Sequence, residues 1–377
     1  MSARARHLYV HLPFCSHRCG YCDFVTLVGY REQHEAYVDA LLSELELEGD
    51  ALADPLATVF VGGGTPTFAD PAALARLLAA LPPADEVTVE ANPETVDRAL
   101  ARRLRDLGVN RVSLGAQTFQ PGLLTVLERR TRPRDVRRAF YTLRDASFDN
   151  ISLDLIYGIP GQSPTDLARD LDAALRLGPE HLSCYELEAR PGTRFTHRYG
   201  DELTRQAEAM ESYFERVVVT LTDAGYRWYE TANFCLRPEL AGGRDLRAHH
   251  NLGYWRGRDY LGIGIGAVST LRGTRRRNLP RLAPYLAALA EGRHPPREEE
   301  VVDDATRLRE RLMLALRLDE SVALAEVESA VDRRSLERLE RLRLAAREHR
   351  GGVDWLTLTE RGRYVGGAVT AELLASY

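Results

Sequence analysis

The chain has 377 residues, 44% of them hydrophobic, which is enough for one large domain and a small one beside it. A formal net charge of −5 and a pI near 6.1 exclude a general attraction to nucleic acid or to anionic membrane. Every basic side chain is arginine, no signal peptide stands out, and no run is long and apolar enough to span a bilayer, so the expected setting is the cytoplasm.

In chain order, strands are predicted at 8–12, 58–61, 86–91, 111–114, 151–156 and 181–187. They read as short apolar runs without clean alternation, as parallel strands buried on both faces do. Amphipathic helices are predicted between them near 35–48, 71–81, 95–107, 134–146 and 165–177. Asp70-Pro71 supplies a cap and an N1 proline, and Gly108 stands where a C′ glycine belongs. An unbroken βα series predicts a parallel sheet with right-handed crossovers, either open or curled into a partial barrel. In both cases the working face lies at the C-terminal ends of the strands.

Beyond about residue 190 the pattern loosens. A helix at 203–223 leads to Tyr226-Arg-Trp-Tyr, then to a polar, glycine-rich stretch containing His249-His250-Asn251. Pro295-Pro296 and the acidic run 298–300 read as a linker. Helices near 305–316 and 336–347, followed by a short hairpin, suggest a small winged-helix-like module. Its second helix mixes arginine with glutamate, which argues against DNA binding. The expected division is 1–235 for the core, 236–295 for the segment closing it, and 296–377 for the C-terminal module.

The chemistry concentrates after the first strand. The run His11-Leu-Pro-Phe-Cys15-Ser-His-Arg-Cys19-Gly-Tyr-Cys22 places three thiols on one loop with no fourth nearby. Three thiolates can hold three irons of a four-iron cluster and leave the fourth open, whereas electron-transfer clusters use four cysteines. A structural zinc completed by His11 or His17 is the alternative. The remaining cysteines, Cys184 and Cys235, make the total odd, which does not suggest a disulfide framework. Gly62-Gly63-Gly64-Thr65-Pro66 follows the second strand; it lacks the Lys-Ser/Thr of a P-loop, and it could bring backbone groups close to a ligand. Glu90, Gln117, Arg129 and Asp154 mark later strand ends. A carboxylate there could hold an amine or ribose hydroxyls, and Arg129 could pair with a carboxylate. His250, beside Tyr254 and Trp255, is either an axial ligand for a flat macrocycle or a loop histidine bonded to backbone.

Taken together, Cys15-x-x-x-Cys19-x-Tyr21-Cys22, Gly-Gly-Gly-Thr-Pro, Glu90-Ala-Asn-Pro, Gly115-Ala-Gln117-Thr-Phe, Asp154-Leu-Ile-Tyr-Gly-Ile-Pro and His250-Asn-x-x-Tyr-Trp resemble the radical S-adenosylmethionine proteins. The resemblance covers nearly the whole chain, and it is to the group related to oxygen-independent coproporphyrinogen III oxidase. It implies an α/β fold, a partial (β/α)6 barrel with a small C-terminal winged-helix-like domain. It also implies a [4Fe-4S] cluster on Cys15, Cys19 and Cys22, with S-adenosylmethionine on the open iron. By the same resemblance Tyr9, Tyr21, Gly63, Gly64, Thr65, Glu90, Gln117, Arg129 and Asp154 align with cofactor contacts, and Glu188 and Val268 with contacts made through backbone. The oxidase branch carries a further cysteine two residues past the third ligand, where this chain has Phe24, and a longer arm before its cysteines, where fourteen residues precede Cys15 here. Tyr-Cys-Asp-Phe with His-Asn-x-x-Tyr-Trp is more similar to the heme-chaperone branch. That branch implies heme as ligand, His250 as its axial residue, apo-hemoproteins as acceptors and an electron donor such as flavodoxin or ferredoxin. It also implies a homodimer and transient contact with membranes, without nucleic acid.

Overall fold

The computed structural model describes residues 4–189, 191 and 194–374. Along the chain, β1 (His7–Leu12) leads to two-residue strands β2 (Phe14–Cys15) and β3 (Leu27–Val28), then β4 (Leu56–Gly63), β5 (Ala84–Ala91), β6 (Arg111–Gln117), β7 (Ile151–Tyr157) and β8 (His181–Glu186). Helices α1 (His34–Glu48), α2 (Pro71–Ala80), α3 (Arg98–Asp106), α4 (Pro121–Val126), α5 (Pro133–Asp145) and α6 (Pro164–Leu177) connect the long strands. Asp70 caps α2 as expected, accepting from the N–H of Ala72 and Ala73.

Strands β1, β4, β5, β6, β7 and β8 lie side by side in chain order, every pair parallel. A doubly wound sheet reverses direction at a switch point; this one does not, so right-handed crossovers keep the helices on one face, as in a barrel. The sheet stays open. β11 (Tyr260–Ile263) pairs parallel on the other side of β1 and is followed by antiparallel β12 (Val268–Leu271), β13 (Thr274–Asn278) and β14 (Arg297–Val301). β10 (Asn233–Leu236) and β9 (Tyr226–Glu230) extend the sheet antiparallel beyond β8.

The strands alternate after all, and the sense of the alternation is informative. Leu8, Val10, Leu12, Val59, Val61, Val89, Val112, Leu114, Ile151, Leu153, Leu182 and their neighbours form the apolar core shared with the helices. The residues between them, among them Thr58, Glu86, Thr88, Arg111, Ser113, Ser152, His181 and Ser183, are buried and polar. Each strand therefore turns an apolar face outward to helices and a polar face inward to the lumen.

The acidic run expected as a linker is instead the edge strand β14. Its glutamates face the arginines of β13, with Arg275 opposite Glu300, Arg276 opposite Glu299 and Arg277 opposite Glu298. Cross-strand charge pairing holds this edge where hydrophobic pairing could not. Glu44 of α1 anchors the same region, accepting from Gly264 N at 2.8 Å, Asn278 Nδ2 at 2.6 Å and Tyr285 Oη at 2.6 Å. The helix predicted at 203–223 divides into α7 (Arg194–Ala207) and α8 (Met210–Asp223), and the histidine-rich stretch read as a loop forms α9 (His249–Trp255). After α10 (Leu282–Ala290) come α11 (Asp304–Ala315), β15 (Val322–Ala323), α12 (Leu324–Val327), α13 (Arg333–Arg341), β16 (Ala345–Arg350) and β17 (Val353–Leu358), and then α14 (Glu360–Tyr364) and α15 (Gly366–Leu373). The sheet order β15-β17-β16 with its helices is winged-helix-like and has its own apolar core. The helix predicted through residue 347 stops at Arg341, because Arg343 takes a left-handed backbone and β16 then pairs with β17.

Candidate functional site

The first turn after β1 is pinned by the β2–β3 pair, so Cys15 sits in a short strand and Cys19 and Cys22 sit in the loop beyond it. Cys15 Sγ lies 3.4 Å from Thr65 Oγ1, which also accepts from Asn92 Nδ2 at 2.9 Å. Arg129 crosses from α4's far end: Nη1 donates to Cys19 Sγ at 3.7 Å, and Nη2 donates to Asn92 Oδ1 at 2.9 Å and Gly115 O at 3.0 Å. Burial pushes the Cys15 thiol up to about 11, so bare thiolates are unfavourable here and a metal would be needed to hold them ionised.

The three thiols line one cavity of about 390 Å³. Among the described residues, no three His, Cys, Asp or Glu side chains converge on a point as ligands of a single ion do. Of the histidines that a zinc site would need, His11 Nε2 lies 2.8 Å from Val25 O, while His17 Nε2 lies 3.1 Å from Glu128 O and 3.7 Å from Cys19 Sγ. Three thiols on one loop lining one cavity suit a cluster, where each cysteine takes its own iron.

The glycine run behaves differently from its expectation. Gly63 N donates to Glu90 Oε2 at 3.0 Å, Gly64 N to Leu12 O at 2.8 Å and Thr65 N to Phe14 O at 2.9 Å. Its N–H groups are thus spent within the protein. The glycines are needed for close packing: a Cβ on Gly63 (φ 117°) would meet the His11 ring at 2.6 Å, and one on Gly64 would meet Pro13 O at 2.5 Å. The loop lies directly on the chain that carries Cys15.

Two carboxylates face the lumen. Burial raises Glu90 to about 7, with the Gly63 N–H acting against the shift. Burial also raises Asp154, whose two oxygens each accept from Ser113 Oγ at 3.0 Å. Gln117 ends β6 at a β-bulge with a left-handed φ of 64°, a conformation that costs a non-glycine residue energy and re-aims its side chain. Tyr21 and Glu188 border the same cavity, so every expected site residue except Tyr9, Val268 and His250 lines it.

Those three lie outside the cavity lining. Tyr9 lies deeper in the barrel, its hydroxyl 2.9 Å from His11 Nδ1 and its ring packed on Phe60. Val268 lies in β12, two strands beyond β1. His250 is 1% exposed, with Nδ1 2.8 Å from Thr58 Oγ1 and Nε2 3.0 Å from Tyr254 Oη, and burial holds its pKa down to about 3. Neither ring nitrogen is open to a ligand. The motif opens a helix at the barrel floor, where Glu86 accepts from the N–H groups of His249 and His250 at 3.0 Å each.

The sequence reading missed Arg111, Ser113, Asn92 and Asn251 as cavity residues. The polar-inward alternation could have found the first two. Asn251 needed α9 to be placed.

A family model described as the radical SAM superfamily matches residues 9–174. A curated relative from Mycobacterium tuberculosis (strain ATCC 25618 / H37Rv), named heme chaperone HemW, is 36% identical over 379 residues, covering 97% of this chain and 94% of its own. One of the same name from Bacillus subtilis (strain 168) is 35% identical over 320 residues, 82% of each chain. A solved structure described as coproporphyrinogen III oxidase (HemN) from Escherichia coli, a radical SAM enzyme, matches with a TM-score of 0.79 at 22% identity, covering 98% of this chain and 90% of that one. That last likeness concerns the fold.

Proposed function

The chain belongs to the HemW family of radical S-adenosylmethionine proteins, and from that premise we propose that it is a heme chaperone, binding heme and passing it to acceptor hemoproteins. The observation that carries the reading is near-full-length likeness to curated heme chaperones, 36% identity across 97% of this chain. Phe24 supports it. The oxidase branch has a cysteine at that position, and here the phenyl ring is 65% exposed on the cavity's border, an apolar face suited to a porphyrin.

The donor set fits a [4Fe-4S] cluster with one open iron. Cys15, Cys19 and Cys22 would hold three irons, and Arg129 beside Cys19 would offset part of the thiolate charge. When bound, the cluster and S-adenosylmethionine supply one-electron cleavage of a sulfonium; the chain itself binds, orients and shields. In this reading Glu90 takes the cofactor's amine, Arg129 its carboxylate, Gln117 and Asp154 its ribose hydroxyls, and Tyr21 stands near the adenine. Gly63, Gly64 and Thr65 bring the backbone alongside, and Glu188 borders the opening. No helix among the described residues is long and apolar enough to cross a membrane. In this reading the setting is the cytoplasm and the electron donor a flavodoxin or ferredoxin.

The test is anaerobic. Reconstitute the cluster, titrate heme, and offer the loaded protein to an apo-cytochrome. Stoichiometric binding and transfer are expected. No binding overturns the reading, and carbon dioxide released from coproporphyrinogen III with dithionite and S-adenosylmethionine would reassign the chain to the oxidase class.

A further inference from the structure

Arg111 opens β6 on the lumen side, is 2% exposed, and lines the cavity. Among the described residues it makes no hydrogen bond or ion pair, and its Nε is sealed from solvent without an acceptor. Thr88, its register partner on β5, is likewise buried with an unpartnered Oγ1. Asn251 reaches the same cavity from α9, and its side-chain amide makes no hydrogen bond among the described residues. The lumen thus ends in a guanidinium, a hydroxyl and an amide whose hydrogen-bonding capacity is unused.

The local acceptors do not serve them. Asp154 accepts from the hydroxyls of Ser113, Ser152 and Ser183, and Glu90 takes the Gly63 N–H. Arg111 lies near enough for its charge to hold both carboxyls down, yet neither accepts a bond from it. Arg129 at the cysteine end contrasts with it, since its Nη2 is fixed by Asn92 and Gly115. A buried guanidinium without an acceptor is costly, and a guanidinium can only donate. Its planar fork matches a carboxylate in two parallel bonds, and the Asn251 amide adds a further donor.

We propose that Arg111 and Asn251 form a carboxylate subsite at the deep end of the cavity. This rests on reading the cavity as a ligand site. The ligand of that reading with a carboxylate to place here is heme, through a propionate, because Arg129 takes the carboxylate of S-adenosylmethionine at the cysteine end. The motif residue that meets the ligand is then Asn251, while His250 beside it acts as a strut.

The test uses full-length, anaerobically reconstituted protein and the variants Arg111→Gln and Asn251→Ala. Asn251 carries no bond, so its variant keeps the test open should Arg111→Gln fail to fold. Binding of S-adenosylmethionine and its decarboxylated analogue, and of heme and its dimethyl ester, is measured by equilibrium titration. Each variant is expected to lose about tenfold or more in affinity for heme and little for its dimethyl ester, with S-adenosylmethionine binding unchanged. Loss confined to S-adenosylmethionine overturns the subsite. Wild-type protein that binds S-adenosylmethionine but not heme ends the chaperone reading and the subsite with it. Unchanged affinities in both variants, or equal losses for acid and carboxylate-free forms, overturn the subsite, as does a wild-type protein that binds neither ligand.

Discussion

The Thr58 hydroxyl stands 2.8 Å from His250 Nδ1, and this contact ties α9 to the inner face of β4. The same hydroxyl lies 2.8 Å from His7 Nδ1, so one threonine joins three elements. With Tyr254 on its other nitrogen, His250 is a fully used core group. His250→Ala would take one partner from the Thr58 and Tyr254 hydroxyls and leave a cavity, at a cost of about 2–4 kcal/mol. Urea denaturation of the apo-protein measures this. The folded variant should bind heme with wild-type stoichiometry. Wild-type stability with heme binding lost would make His250 the ligand instead.

The same burial sets a pH dependence. Burial lowers the His250 pKa from 6.5 to about 3, so between those values the unfolded chain binds a proton that the folded chain refuses. Stability contributed by neutral His250 is therefore present above pH 6.5 and lost as pH falls below it. His250→Gln keeps hydrogen-bonding capacity but does not titrate. Its deficit against wild type should shrink by about 2 kcal/mol between pH 7 and pH 5, at roughly 1.4 kcal/mol per pH unit. A deficit equal at both values would mean that the ring protonates in the folded state.

The order of the βα units, the cysteine loop and twelve of the cavity residues were legible in the sequence, because each strand end carries its functional side chain at a fixed place. The choice between an open sheet and a barrel was legible too, though in a pattern easily passed over. In His7-Leu-Tyr-Val-His-Leu and Arg111-Val-Ser-Leu-Gly-Ala-Gln the polar residues look like interruptions of apolar runs, yet they are the lumen face. His250 was not legible. A histidine beside tyrosine and tryptophan reads the same whether it faces a ligand or a threonine from a strand 192 residues away. The β13–β14 ladder was hidden for a similar reason, since an arginine run and a glutamate run each look like solvated loop until they are paired.

Gln117 carries strain for its position. A non-glycine residue at φ 64° costs about 1 kcal/mol or more, which Gln117→Gly would release. The variant should unfold at higher urea by a comparable margin while binding S-adenosylmethionine about tenfold more weakly, because its side chain no longer borders the cavity. A variant that gains stability without losing affinity would show that the left-handed residue serves the bulge alone.

Gly64→Ala tests how the glycine run acts. The added Cβ would lie 2.5 Å from Pro13 O, and a backbone atom cannot swing aside as a side-chain tip does. Relief requires the chain carrying Cys15 to move, so the variant should lose about 2 kcal/mol or more and reconstitute less iron. Gly29→Ala, with nothing within 4 Å of the new Cβ and a strained φ of 89° that Gly64 does not share, controls for general destabilisation and should retain its iron. Equal iron loss in both variants would mean that general destabilisation, not the Pro13 contact, is what costs the iron.

Metal analysis separates cluster from zinc at the cysteine loop. Cys15, Cys19 and Cys22 border one cavity, and His17 Nε2 lies 3.1 Å from the Glu128 carbonyl oxygen and 3.7 Å from Cys19 Sγ. Anaerobic reconstitution should therefore load about four irons per chain, and His17→Ala should load the same amount. Serine at any of the three cysteines should lose most of the iron and the accompanying visible absorbance, since each thiolate holds an iron that no neighbouring side chain can take over. A zinc site of the Cys₃His kind predicts the opposite pattern: one tightly held zinc in the protein as purified, lost in the His17 variant as readily as in the cysteine variants.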